Sequence, residues 1–211
     1  MSTVFNASCR ACPRLARHLA AVRREYADYH ARPVAPFGDK RARLFIVGLA
    51  PGMHGANRTG RPFTGDHAGI LLYRTLHTFG FANQPNGTDP RDGLRLIDCR
   101  ITNAVKCLPP ENKPLPVEVA RCNRYLRAEL KRLPPSAVVL ALGAIAHGAV
   151  LRSRDLKPAA FRFGHGNEYP LTGGATLLDS YHCSRYNTQT GRLTPRMFAA
   201  IVRRARDLLD S

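Results

Sequence analysis

The sequence predicts an α/β fold: a central four-stranded parallel sheet with helices on both faces, in a three-layer arrangement. Four short runs of apolar and β-branched residues recur along the 211 residues, and amphipathic helical stretches separate them. Strands that alternate with helices favour parallel pairing through crossover connections. No Ser/Gly-rich linker or shift in composition divides the chain, so we expect one domain over residues 1–211.

The predicted strands and helices alternate from the N-terminus to the C-terminus. The strands are short and apolar, and they span residues 44–49, 98–105, 137–142 and 176–181. The helices have apolar residues at helical spacing, and they span residues 9–26, 67–79, 116–133, 144–151 and 194–209. Gly80 is a C-cap signal for the second helix, and Thr194 with Pro195 begins the last one.

Four loops follow the carboxyl ends of the predicted strands, which is where parallel sheets bind ligands. These loops begin at Gly48, Asn103, Gly143 and His182. Three of the four carry polar and glycine-rich clusters, a convergence that scattered surface residues rarely produce. We therefore expect the functional site at this edge of the sheet.

The chain is strongly basic, because 32 Lys and Arg against 15 Asp and Glu give a formal net charge of +17. Only five of the basic residues are lysines, and an arginine excess suits bidentate contacts with phosphate. A G+C-rich genome is an alternative source of arginine, but it does not explain why acidic residues are so scarce. A nucleic-acid partner is therefore expected.

The sequence shows no membrane or export signal. No apolar run reaches the roughly 18 residues of a transmembrane helix. The first residues lack the charged-then-apolar order of a signal peptide. We therefore expect a cytoplasmic protein with no membrane partner. We also expect the protein to be monomeric.

Four of the six cysteines form two pairs that suit a tetrahedral sulfur site. Cys9 and Cys12 are separated by two residues, and Cys107 and Cys122 flank a proline-stiffened segment of 14 residues. A structural zinc ion and a four-iron four-sulfur cluster both fit this pattern, and the spacing alone does not choose between them. Cys107 and Cys122 as small core residues are the alternative, and Cys99, inside a strand, is expected in the core.

Three motifs give the chain a family resemblance. GLAPGMHGANRTGRPFTGD (residues 48–66), ITNAVKC (residues 101–107) and YHCSRYNTQTGRLTP (residues 181–195) resemble family 5 (type B) of the uracil-DNA glycosylase superfamily, the iron–sulfur enzymes of bacteria and archaea. The resemblance implies a monofunctional glycosylase of base excision repair that removes uracil from DNA. It also implies an iron–sulfur cluster that orders DNA-contacting loops without a redox role, held by Cys9, Cys12, Cys107 and Cys122.

The resemblance assigns the base pocket to the three loops. Phe63 matches the superfamily's stacking aromatic, and His182 matches the histidine that contacts uracil O2 and stabilises the departing base. The amide of Asn103 can donate to uracil O4 and accept from N3–H, an arrangement that rejects cytosine. A turn-forming role for Asn103 is the alternative.

The first motif departs from better-known members of the superfamily at two positions. Ala50 stands where they carry an Asp that orients water, so Asp66 is the candidate to position water or offset the positive charge of the sugar, unless it only caps a helix. Gly52 stands where stricter enzymes carry a bulky Tyr. With Gly48 and Ala50 it leaves a pocket predicted to admit hypoxanthine and xanthine as well as uracil.

Two loops are predicted to contact DNA. The first, residues 53–61, lies within the base-pocket motif, and the second, residues 184–192, follows His182 and is expected to enter the duplex. Their candidate DNA-binding residues are His54, Asn57, Arg58, Arg61, Arg185 and Arg192. The third motif has Cys183 where relatives have a stiffening proline, so His182 is expected to be held more loosely. A non-catalytic nucleic-acid-binding protein stabilised by zinc is the competing hypothesis.

Overall fold

The computed structural model describes residues 5–211. Its strands are β1 (Phe37–Gly38), β2 (Leu44–Gly48), β3 (Cys99–Asn103), β4 (Val138–Leu142), β5 (Glu168–Pro170) and β6 (Thr176–Ser180). Its α-helices are α1 (Pro13–Glu25), α2 (Ala56–Thr59), α3 (His67–Thr78), α4 (Pro116–Leu130), α5 (Ala144–Ser153), α6 (Arg185–Gln189) and α7 (Pro195–Asp210). Within these described residues, no helix is both long and apolar enough to cross a bilayer.

The six strands form one sheet in the order β1-β3-β2-β4-β6-β5. The four central strands are parallel, which confirms the predicted core of the sheet. The edge strands β1 and β5 pair antiparallel and were not predicted. They have two and three residues, too few for a recognisable alternation of apolar and polar side chains.

Helices cover both faces of the sheet, as predicted. On β2, Leu44 and Ile46 face one layer while Phe45 and Val47 face the other, because successive side chains of a strand point to opposite faces. The first layer includes α3 and α7, and the second includes α4 and α5. Burial of both faces explains why the central strands are continuous apolar runs. The single-domain organisation stays a prediction.

Helix α1 begins four residues later than predicted. Pro13 occupies its first turn and Cys12 is the extended N-cap residue, so Cys9 lies in the preceding irregular segment. Helix α4 ends at Leu130 rather than residue 133. The short helix α6 was not predicted, and Ser184 caps it by accepting a hydrogen bond from the backbone of Asn187.

Candidate active site

The floor of the site forms where two parallel strands end side by side. Gly48, at the end of β2, pairs in register with Asn103, at the end of β3. A Cβ atom on Gly48 would lie 2.5 Å from Oδ1 of Asn103 and 2.8 Å from Cζ of Phe63. Only a glycine therefore lets the amide and the aromatic ring approach the backbone this closely.

Above this floor lies a pocket of about 330 Å³. It includes most of the predicted base-binding and catalytic residues, and Gly48 lies beneath it. Its lining residues are Leu49, Ala50, Gly52, Ala56, Phe63, Asp66, Ala68, Asn103, Asn112, His182 and Ser184. The structure thus brings together side chains from three strand ends that are far apart in the sequence.

The backbone of Phe63 has a positive φ of 53°, which is uncommon for a residue with a side chain. Neighbouring groups hold this conformation: the hydroxyl of Tyr73 donates to the carbonyl of Pro62 at 2.6 Å, and Gly69 of α3 lies against the carbonyl of Phe63. These contacts stabilise the strained backbone conformation, and this conformation places the ring of Phe63 in the pocket wall.

Two of the predicted DNA contacts are buried. Arg61 is 6% exposed and donates to both carboxylate oxygens of Asp92, at 3.0 and 2.7 Å, and to the hydroxyl of Thr64 at 2.7 Å. Asn57 is fully buried and its amide points to the carbonyl of Met53. Their placement differs from the exposed positions expected of phosphate contacts. Asp92 and Thr64 hold the side chain of Arg61, whereas the Oδ1 of Asn57 is buried without a hydrogen-bond partner among the described residues.

Asp66 combines the two roles that the sequence left open. Its Oδ1 caps α3 by accepting from the backbone N–H of Gly69 at 3.0 Å. Its Oδ2 turns toward the pocket: a Cβ atom on Gly52 would lie 3.8 Å from it, and one on Gly55 would clash with the carboxylate. Burial raises the pKa of Asp66 against the opposing hydrogen bonds from Gly69 and Ala68. One oxygen is thus structural and the other is available to a ligand.

His182 faces Phe63 across the pocket, with ring centroids 5.8 Å apart. Burial lowers the pKa of His182 to about 4, so the imidazole is neutral near neutral pH. Its backbone carbonyl accepts from Nδ2 of Asn187 at 2.8 Å, a bond that restrains the turn where relatives have a proline. Cys183 is fully buried in the core, so the turn is anchored rather than loose.

The sequence did not identify Asn112 and Ser184 as pocket residues. Asn112 lies in a single turn over Pro110–Asn112, between Cys107 and Cys122, and its φ is 57°. Asparagine tolerates this left-handed conformation better than most residues. The segment between the two cysteines therefore reaches the pocket, a contact that the proline-rich spacing alone did not show.

The four predicted ligand cysteines line one largely apolar cavity together with Leu15 and Val105. Two N–H groups point at the sulfurs: the backbone of Lys106 donates to Cys122 and Nη2 of Arg124 donates to Cys9, both at 3.3 Å. Donors of this kind suit thiolate ligands. In the described part of the chain, no three His, Cys, Asp or Glu side chains are grouped closely enough to hold a single metal ion.

The other predicted DNA contacts are exposed. Arg58 and Arg185 share a groove of about 440 Å³ with Arg74, directly beside Asp66. His54 lies on the surface, where its Nδ1 is 2.8 Å from the hydroxyl of Tyr29. The guanidinium of Arg192 stacks 4.7 Å above the ring of Tyr181.

Comparisons with known proteins agree with this architecture. The model of the uracil DNA glycosylase superfamily matches residues 35–206. The chain belongs to the uracil-DNA glycosylase superfamily. It is therefore an enzyme of the class that hydrolyses N-glycosyl bonds.

Relatives named as type-5 enzymes cover nearly the whole chain. A type-5 uracil-DNA glycosylase of Thermus thermophilus is 50% identical over 206 residues, which are 95% of this chain and 94% of the relative. One of Mycobacterium bovis is 48% identical over 211 aligned residues, covering 95% of this chain and 78% of the relative. A type-4 uracil-DNA glycosylase of Thermotoga maritima is 33% identical over 148 residues, which cover 70% of this chain and 67% of the relative. The family resemblance recognised from the three motifs is confirmed.

Proposed function

We propose that this member of the superfamily removes uracil from DNA during base excision repair. The observation that carries the proposal is the pocket itself, where Phe63, Asn103, His182 and Asp66 meet at the carboxyl edge of the sheet. A glycosylase reaches its bond only after the nucleotide has rotated out of the duplex into such a pocket. The type-5 relatives carry the same activity in their names.

Asn103 and Phe63 would recognise the base. The side chain of Asn103 makes no hydrogen bond to another residue within the described range 5–211, so its amide is free to donate to O4 and accept from N3–H. Cytosine offers the opposite donor and acceptor, and both amide groups would then lose their partners. The ring of Phe63 supplies a stacking surface worth about 1–3 kcal/mol.

His182 and Asp66 would act on the glycosyl bond. As the bond between N1 and C1′ breaks, the base keeps the electron pair and negative charge spreads over N1, C2 and O2. A neutral His182 donates a hydrogen bond to O2 and stabilises that charge without giving up a proton. Water adds to C1′, and its proton passes to the free oxygen of Asp66, which also offsets the positive charge of the sugar.

The substrate range would extend to hypoxanthine and xanthine. Around a Cβ atom at Gly52, the only heavy atom within 4 Å among the described residues, apart from its chain neighbours, is Oδ2 of Asp66. No side chain fills the space in front of the flipped base at this position. A pocket of about 330 Å³ is large enough for a purine.

Cys9, Cys12, Cys107 and Cys122 would hold a four-iron four-sulfur cluster. The support is their shared cavity and the N–H donors of Lys106 and Arg124. When bound, the cluster supplies a rigid link between the N-terminal segment, the end of β3 and α4. Because Asn112 lies between two of the ligands, this link would also hold one wall of the pocket.

Exposed groups around the pocket would contact the DNA. Arg58, Arg74 and Arg185 would bind phosphates beside the flipped nucleotide. Tyr186, on the neighbouring helix α6, is 70% exposed, which is unusual for an aromatic residue. An apolar wedge at this place would fill the gap that the base leaves in the duplex.

A substrate panel tests the proposal. Purified protein is incubated in enzyme excess with duplexes that contain uracil, hypoxanthine, xanthine or only normal bases. We expect abasic sites from the first three duplexes and none from the fourth. Uracil release without any turnover of hypoxanthine contradicts the broad range, and release of neither base contradicts the function.

A further inference from the structure

A second basic groove lies outside the pocket, beside the cysteine site. It has a volume of about 520 Å³ and runs between α1, the segment around Cys9 and the stretch at Arg32. Four of its lining residues are arginines and none is acidic: Arg10, Arg17, Arg23 and Arg32. We call this feature the arginine groove.

All four arginines are exposed, and none has an ionic partner among the described residues. Arg10, Arg17 and Arg32 form no ion pair with any residue in the described part of the chain. Arg23 also donates a hydrogen bond, from its Nη2 to the carbonyl of Ala31 at 2.6 Å, and so fixes one wall of the groove. Like charges held together in a concave surface repel one another unless an anionic ligand binds them.

The segment that carries Arg32 is hydrogen-bonded to the base-pocket loop. The backbone N–H groups of His30 and Ala31 donate to the carbonyls of Arg58 and Asn57, at 2.9 and 3.0 Å. Two residues further, Pro33 lines both the arginine groove and the cysteine cavity. The segment from His30 to Pro33 therefore links the base-pocket loop to the wall of the arginine groove.

We propose that the arginine groove binds the phosphate backbone of duplex DNA flanking the damaged nucleotide, as a second contact separate from the base pocket. The proposal rests on the DNA substrate of the proposed function. Its support is charge complementarity: unpaired guanidiniums in a concave surface match a row of phosphates. The small residues Ala16 and Ala20 between the arginines leave the helix surface open to close approach.

Salt-dependent binding tests the groove. The variant is Arg17→Gln with Arg32→Gln, since neither side chain bonds to another described residue. The control is Lys131→Gln with Arg203→Gln, which removes the same charge from exposed positions at the end of α4 and on α7. Each protein is titrated with a duplex of several helical turns around uracil, and with a single strand only a few nucleotides long.

We expect the variant to bind the long duplex more weakly, with a plot of log K against log salt shallower by about 1.8 because two phosphate contacts are lost. The short strand should bind as tightly as it binds the wild type, and the rate of uracil release from it should be unchanged. The control pair should leave the slope of the long duplex unchanged.

Three results contradict the proposed role of the arginine groove. They are an unchanged salt slope in the variant, an equal loss of affinity for the short strand, or the same change of slope in the control. Absence of uracil release by the wild type contradicts the proposed function instead. The salt slope measured on the long duplex still tests DNA binding by the arginine groove in that case, because it depends on binding affinity and not on catalysis.

Discussion

The ring of Phe63 and the imidazole of His182 lie 5.8 Å apart between centroids, with their planes inclined by 31°. Phe63 belongs to the loop after β2 and His182 directly follows β6, and β4 lies between these two strands in the sheet. This pair therefore spans the width of three parallel strands, and Asn103 at the end of β3 extends the pocket to a fourth. A change in either loop should alter how a flipped base is held, and the following predictions use this geometry.

The structural and catalytic roles of the Asp66 carboxylate can be distinguished by two substitutions. Asparagine keeps the cap on Gly69 but removes the charge, whereas alanine removes both. We expect Asp66→Asn and Asp66→Ala to lower the single-turnover rate of uracil release by at least about 100-fold. Urea unfolding should show a loss of about 1 kcal/mol in Asp66→Ala and little change in Asp66→Asn. Full activity in Asp66→Asn rules out a catalytic role for the carboxylate.

Gly52 and Gly55 form a matched pair of alanine substitutions beside Asp66. A Cβ atom on Gly52 finds room, with Oδ2 of Asp66 at 3.8 Å, while one on Gly55 would lie 2.6 Å from the Cβ of Asp66. We expect Gly52→Ala to retain uracil release and Gly55→Ala to lose most of it, because the carboxylate must move. Rates from the same single-turnover assay decide this, and similar rates for both variants contradict the placement of Asp66.

The acid side of the pH profile should report Asp66 rather than His182. The pKa of Asp66 is raised above its ordinary value, and that of His182 is lowered to about 4. The rate of uracil release should therefore fall as decreasing pH protonates the carboxylate of Asp66. No step is expected near the ordinary histidine value of about 6.5. A rate profile from pH 4 to 8 checks this, and an inflection near 6.5 that disappears in His182→Gln contradicts a neutral imidazole.

Stability should also depend on His182. In the folded state its pKa is depressed to about 4, so protonation favours the unfolded chain and stability is lost as pH falls from about 6.5 toward 4. We expect His182→Gln to weaken this pH dependence of the free energy of unfolding. Urea titrations at several pH values measure it, with identical pH dependence in the two proteins as the contrary outcome.

The ion pair between Arg61 and Asp92 should stabilise the fold below the pocket. Breaking a buried pair costs roughly 3–5 kcal/mol because the remaining charge loses its partner. Because the side chain of Asp92 keeps 15% exposure, we expect Asp92→Asn to lower the free energy of unfolding by less than this, about 1–3 kcal/mol. A loss below about 1 kcal/mol shows that the pair behaves as a surface salt bridge.

The central sheet was predictable because its strands are buried on both faces and read as apolar runs. The pocket residues were predictable from their motifs, and the structure brings Phe63, Asp66, Asn103 and His182 together as expected. Arg61 was misplaced because its partner, Asp92, lies 31 residues away, and nothing in the local sequence marks the pair. A single turn between two cysteines likewise gave no sign that Asn112 reaches the pocket.

The central claim is that Asp66, Asn103 and His182 act together on a flipped base. The most direct measurement is the single-turnover rate of uracil release from a duplex by the wild type and by Asp66→Asn, Asn103→Ala and His182→Gln. We expect rapid release by the wild type and a rate lower by at least about 100-fold in each variant. Wild-type rates in all three variants contradict the account.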